Sequence, residues 1–215
     1  MTDLPRIIPI FPLPNLVLFP GCRVPLHIFE PRYRQMIADV ATAHGIVGMI
    51  LLKGDWQEAY HGFPDIYEVG CAGKIGELVK LEDGRYNLIL EGLAEFRVIR
   101  EIRERPYRQA EVEWCPVRPE DLDCDAETMD GLRELLMSYL GEAAKDAWRS
   151  LVEQRRLRGA DLVNFLCFHL DVTPLEKQTM LEAMARRVDS LIDVLSFKVE
   201  ERKLGGSGGG PETVQ

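Results

Sequence analysis

The chain has 215 residues, a formal net charge of −9, 46% hydrophobic, 28% charged and 8% aromatic residues. This is ample apolar material for one large or two small domains. The acidic balance argues against non-specific binding to phosphate backbones or anionic membranes. No run of about 18 apolar residues predicts a transmembrane helix. Met1-Thr2-Asp3-Leu4-Pro5 lacks the basic and apolar parts of a secretory signal, so a cytoplasmic location is expected.

Seven prolines fall within the first 31 residues, between short β-branched and aromatic runs such as Ile8-Pro9-Ile10-Phe11-Pro12-Leu13. Proline donates no ladder hydrogen bond, so each run is expected to be a short strand or a sheet edge. Turns are predicted at Asn15 and Pro20-Gly21. At Phe29-Glu30-Pro31 the period changes, with Pro31 suited to the first helical position. Tyr33, Met36, Ile37, Val40 and Ala41 then share one helical face.

Ile46 to Leu52 is apolar without alternation, as a buried strand is. Lys53 to Pro64 is a loop carrying Trp56, Tyr60 and Phe63. A strand from Tyr67 to Leu81 contains Gly70, Gly73 and Gly76, a spacing that suggests bulges or close backbone approach. Glu82-Asp83-Gly84-Arg85 forms a hairpin turn, Tyr86 to Leu90 the return strand, and Glu91-Gly92-Leu93 a turn into Phe96–Ile102. Tyr107 to Trp114 is the last strand, and strands at this spacing favour a small barrel.

Pro116 to Asp125 reads as a junction, after which the period is helical. Helices are expected over Thr128–Leu140, over Glu142–Arg156 and around Leu162–His169. Thr173-Pro174-Leu175-Glu176 is a capping box. The helix after it should turn Leu175, Thr179, Leu181, Met184 and Val188 inward, and Leu191, Ile192, Leu195, Val199 and Leu204 extend that stripe. Gly205 to Gly210 is a flexible tail. The expected organisation is a β-rich unit over 1–118, a helical bundle over 119–204 and a tail over 205–215.

Several residues test for chemistry. There is no G-x-x-x-x-G-K-[ST] phosphate loop, since the Gly73-Lys74 pair is followed by Ile75 and preceded at the first glycine position by Glu68. Cys22 and His27 are close in sequence, but no third orienting group is marked. His44 ends a helix, where a partly positive ring suits the dipole. His61 lies in a loop, and His169 reads as a core or boundary residue. Four histidines without ligand spacing argue against zinc. Asp121, Asp123 and Asp125 imitate a calcium loop, but Ala126 and Leu132 stand where glycine and glutamate are needed. Arg97, Arg100, Arg103, Arg105 and Arg108 form the densest basic stretch. Glu95, Glu101 and Glu104 interleave and point to a solvated face with cross-strand ion pairs. The five cysteines, with no C-x-x-C, read as structural thiols.

The runs "PIFPL", "LFPG" and "PLHIFEPRYR", in that order, closely resemble the opening of the Lon protease N-terminal, substrate-binding domain. The hairpin Asp83-Gly84-Arg85-Tyr86, the run "LILEGLAEFRV" and the helical segments Asp161–Leu166 and Glu176–Glu182 resemble the rest of that domain. Where the family has V-x-G-x-x-R, the arginine here is Arg97, directly after Phe96.

The resemblance implies an α+β fold, a PUA-like β pseudobarrel with one helix followed by a helical bundle. It implies a non-catalytic module that binds unfolded or partly folded polypeptide segments, possessing neither the ATPase module nor the Ser-Lys protease dyad of the full family protein and needing no cofactor. An adaptor or chaperone-like role in protein quality control follows. The candidate peptide-binding surface is Phe29, Glu30, Arg32 and Tyr33 with the loop aromatics Trp56, Tyr60 and Phe63. An RNA-binding PUA-like module and a cysteine hydrolase are the alternatives.

Overall fold

A computed structural model describes residues 4–57, 63–141, 146, 150 and 157–205. Six strands come first: β1 (Ile7–Leu13), β2 (Arg23–Ile28), β3 (Ile46–Leu51), β4 (Val69–Lys80), β5 (Tyr86–Ile102) and β6 (Gln109–Trp114). Helix α1 (Pro31–Ala41) lies between β2 and β3. After a 3-10 turn at Pro119–Leu122 come α2 (Ala126–Leu140), α3 (Gly159–His169), α4 (Pro174–Glu182) and α5 (Arg187–Gly205). Among the described residues no strand follows Trp114, and no helix is long and apolar enough to cross a membrane. The expected helix over Glu142–Arg156 and the glycine tail beyond Gly205 fall outside the described residues.

The strand order is β2-β5-β4-β3-β1-β6, and β5 also pairs with β6. The ring β5-β4-β3-β1-β6 therefore closes into a barrel, with β2 attached to the first half of β5. Ile8, Ile10, Ile46, Ile50, Ala72, Phe96, Ala110 and Val112, drawn from all five ring strands, form one apolar cluster that fills it. Phe96 is fully buried there. A Cβ on Gly48 would come within 2.8 Å of its ring, and Gly70 faces the same ring, so two glycines make its seat.

Of the two outcomes expected from its prolines, a short strand or a sheet edge, β1 is the first, a seven-residue strand in the interior between β3 and β6. Ile10 donates its N–H to Arg108 O, so even-numbered residues of β1 face β6 and odd-numbered ones face β3. Pro9 faces β3, whose pairing starts only at Ile10. Pro12 faces β6, whose pairing ends at Pro9. Each missing N–H points to a side where no ladder bond is required.

The turn expected at Glu91-Gly92-Leu93 is instead a bulge within one strand of 17 residues. The β4–β5 register slips between Ala72 and Gly73, opposite Ala94 and Gly92. Gly92 donates to Cys22 O and accepts from Gly21 N–H, and a Cβ there would collide with Phe19 O. Close backbone approach, rather than chain reversal, is what requires the glycine. The first half of β5 forms with β2 and the end of β4 a three-stranded arm. Gly84, at φ +81, turns its tip.

The second, larger core cluster joins α1, the outer side of the barrel and the helices without interruption. Tyr33, Met36, Ile37 and Val40 are the buried residues of α1, while Ala41, expected with them, is exposed. Asp125 caps α2, accepting from Thr128 N–H at 2.8 Å, and Gly141 ends it at φ 75. The Thr173 capping box forms with both of its bonds. The inward face of α4 differs from the expected one. Gln178, Met180 and Leu181 are buried, whereas Leu175 is 57% exposed and Thr179 is exposed. The apolar period does not continue from α4 into α5, because Met184 takes φ 52 and redirects the chain. Gln178 fixes the face by donating to Val69 O on β4 at 3.0 Å. In α5, Val188, Leu191, Leu195 and Val199 are buried, and Leu204 is exposed.

Candidate functional site

Of the sequence-predicted surface residues, Phe29, Glu30, Arg32 and Tyr33 gather at the start of α1. Phe29 and Glu30 join β2 to the helix. Phe29 is 59% exposed, its ring 6.2 Å from that of His27 and nearly parallel to it. Glu30 is the extended N-cap residue of α1 and gives no side-chain cap. Its carboxylate instead accepts from Arg32, at 3.1 and 3.0 Å. The Arg32 guanidinium lies 4.6 Å over the Tyr33 ring. Tyr33 is a core residue, 4% exposed, with its ring 4.3 Å from Phe11 of β1. Only Phe29 of this quartet is an open apolar group. The other three hold the corner in shape, and Arg34, donating to Gly84 O at 2.8 Å, ties the helix to the tip of the arm.

Toward the other end of α1, Asp39 accepts from the Tyr107 hydroxyl at 2.8 Å and lies 3.8 Å from Arg105. Burial, with the bond to Asp39, pushes the Tyr107 hydroxyl up to about 12. Phe63 is 48% exposed, with Arg103 4.2 Å over its ring. Buried Arg108 lies 5.8 Å from the same ring and donates to Pro64 O and Glu101 at 2.7 Å each. The base of the loop is pinned by Lys53 N–H to Asp65 O and by the Leu52–Ile66 bridge. Trp56 is half-buried in that loop. Tyr60 and His61 lie outside the described residues.

The arginine stretch is a network of ion pairs. Arg97 meets Glu68 at 3.3 Å, Arg100 meets Glu111 at 2.6 Å, and Arg108 meets Glu101. Arg6 reaches Glu111 at 2.6 Å as well. The bond from Arg100 holds the Glu111 carboxyl below its usual range.

Glu95 does not belong to that face. It is 1% exposed and bound at 2.5 Å by Arg187, which is fully buried. Arg187 also donates to Asn164 Oδ1 at 2.6 Å and to the carbonyls of Met180 and Leu181, and lies 5.3 Å over the Phe19 ring. Glu95 accepts in addition from Val117 N–H. A cation in the first turn of α5 opposes the helix dipole, so the anion on β5 is what makes the position tenable. One clue was present in the sequence: Arg187 is in register with the inward positions Leu191 and Leu195. Nothing local marked Glu95 as its partner.

The remaining candidates find structural roles. Cys22 donates to Asn164 O at 3.5 Å, and burial pushes its thiol up to about 12. His27 bonds Asn87 at 2.6 Å and Arg85 at 3.3 Å. The two do not form a nucleophile–base pair. His44 accepts from Ile46 N–H, and burial lowers its pKa, so it is a neutral acceptor rather than a dipole-stabilising cation. His169 is exposed and packed against Phe165, at 4.1 Å, not part of the core. Asp121 pairs with Arg118 and Asp125 is a cap. Among the described residues no group of three or more His, Cys, Asp or Glu could hold a metal ion.

The architecture is thus a closed barrel whose long strand β5 is clasped to the helices through Glu95 and Arg187. Residues 7–196 match the ATP-dependent protease La (LON) substrate-binding domain, and the chain belongs to that family. It is 30% identical over 211 residues to a Lon protease 2 of Myxococcus xanthus, covering 94% of this chain and 25% of that protein. A Lon protease of Anaeromyxobacter dehalogenans is likewise 30% identical, with 94% and 24% covered. The chain thus spans about a quarter of the length of these relatives.

Among solved structures, a Lon N-terminal domain protein from Xanthomonas campestris aligns with TM-score 0.63 and 25% identity, over 87% of this chain and 97% of that one. The N-terminal domain of a Mycobacterium avium complex Lon protease aligns with TM-score 0.65 over 88% and 98%. At 18% identity it speaks for the fold alone.

Proposed function

We propose that this chain is a non-catalytic polypeptide-recognition module, an adaptor or chaperone-like binder of unfolded or partly folded segments. The observation that carries the reading is the Phe29 corner, an exposed aromatic ring on a rigid support of Glu30, Arg32, Tyr33 and Phe11. A supported aromatic is the kind of anchor that carries binding energy, and here it stands in a domain of a substrate-binding family. Phe63, held by two guanidinium groups, is the second anchor. A reducing cytoplasm suits the five free thiols.

The alternatives have less support. The arginines an RNA reading would use are already engaged with carboxylates or with Phe63. The thiol a hydrolase would use is buried and hard to ionise.

Fluorescence-anisotropy titration with a labelled, permanently unfolded protein tests the reading. The chain should bind it and ignore its native form, and Phe29→Ala should weaken binding about tenfold or more without lowering the melting temperature. No binding, or equal affinity for the native form, would refute the reading, as would ATP or casein hydrolysis above background.

A further inference from the structure

The outer face of the arm carries a groove beyond the Phe29 corner. The register sets Pro25 beside Ile89, His27 beside Asn87, and Asn87 beside Val79. With Leu26, Leu88 and Glu77 these residues line a mainly apolar groove of about 290 Å3. Val79 is 56% exposed, and the His27–Phe29 stack makes the groove continuous with the corner. Pockets for small ligands start at ~300 Å3, so the space suits a side chain or two rather than a nucleotide or cofactor.

Beside the groove runs the free edge of β2. Gly92 N–H donates to Cys22 O, so residues 22, 24, 26 and 28 face β5, while Arg23, Pro25 and His27 turn their backbone groups outward. Among the described residues no strand pairs with this edge. Pro25 has no N–H there, which limits promiscuous strand addition, but Arg23 and His27 keep a donor and an acceptor each. The rim is charged and nearly balanced, with Lys74 set opposite Glu91, and Glu77 is the carboxylate that lines the groove itself. Arg23 pairs with Glu77 and Glu91, and Arg85 with Asp83.

We propose that this groove seats one large apolar side chain of an extended polypeptide lying along the β2 edge. It favours segments with lysine or arginine next to that side chain. The proposal rests on the polypeptide-binding reading and names where, and with what preference, the segment lies. The apolar floor of Pro25, Val79 and Ile89 takes the anchor, the outward groups of Arg23 and His27 take the backbone, and the Glu77 carboxylate in the groove lining takes the cation.

The test uses the whole chain and short fluorescent peptides with one central tryptophan flanked by lysine or by glutamate, plus a lysine version methylated on alternate backbone nitrogens. The lysine peptide should bind several-fold tighter than the glutamate one, with the gap closing at high salt. Backbone methylation and the double variant Val79→Ser/Ile89→Ser should each weaken it about tenfold. Methylation needs no variant, so misfolding cannot mimic its effect. If the wild type binds the lysine peptide but the methylated peptide and the double variant bind equally well, this site is wrong and the general reading stands. If the wild type binds no peptide, both fall.

Discussion

Breaking the Glu95–Arg187 clasp is the sharpest test of how the two halves are held. Arg187→Met removes the cation and leaves the Glu95 carboxylate, 1% exposed, with only Val117 N–H. Removing one partner of a buried pair costs about 3–5 kcal/mol. Glu95→Gln keeps the shape and the Val117 bond but strands a buried guanidinium, with a cost of the same order. The double variant Glu95→Gln/Arg187→Met buries no charge, so its loss should be smaller than the sum by about 2 kcal/mol or more. It should not return to wild type, because the Met180 and Leu181 carbonyls and Asn164 Oδ1 lose their donor. Urea unfolding followed by circular dichroism, with the slope checked for constancy, measures all three variants. At this chain length 4 kcal/mol corresponds to a fall in Tm of roughly 8–16 °C for either single variant. Additive losses, or single losses below about 1 kcal/mol, would refute the claim that the pair is coupled and dry.

Gly92→Ala should destabilise by about 3 kcal/mol or more, since its Cβ would meet the Phe19 carbonyl rather than a yielding side chain; a melt unchanged within error would contradict the bulge geometry. Thr173→Ala removes the hydroxyl of the capping box and should cost about 1 kcal/mol by urea titration. The Glu111 carboxyl is depressed by Arg100, so it stabilises the fold above its unfolded value near 4.5, and that contribution disappears as pH falls through its lower folded value. The stability difference between wild type and Glu111→Gln should therefore be present at pH 7 and vanish in acid. A difference independent of pH would contradict the assignment.

Local signals in the sequence were sufficient where local physics decides. The Asp83-Gly84 turn, the helix opening at Pro31 and the Thr173 capping box each depend on residues a few positions apart, and each is found as expected. The interior place of β1 was hidden because a proline reports a missing donor, not which neighbour would have needed it. Gly92 was read as a turn because glycine signals both reversal and close approach, and only the Phe19 carbonyl distinguishes them. Glu95 was grouped with the arginines nearest in sequence, whereas its partner is on α5. The candidate surface was legible as a set of aromatics, but exposure was not: Tyr33 is core, Phe29 is open, and Trp56 is between the two.

The closing pairs of the barrel have a consequence for the order in which a ribosome delivers the chain. Ile7 of β1 pairs with Glu111 of β6, so β1 has no antiparallel neighbour until β6, the latest of the six described strands, has been made. Meanwhile β3 can shelter only its second half. The long strand β5 then awaits Arg187, which leaves the tunnel later still. A nascent chain halted before Arg187 would expose Glu95 and the Phe19 side of the barrel. Its acquisition of protease resistance should therefore come in a late step rather than gradually with length.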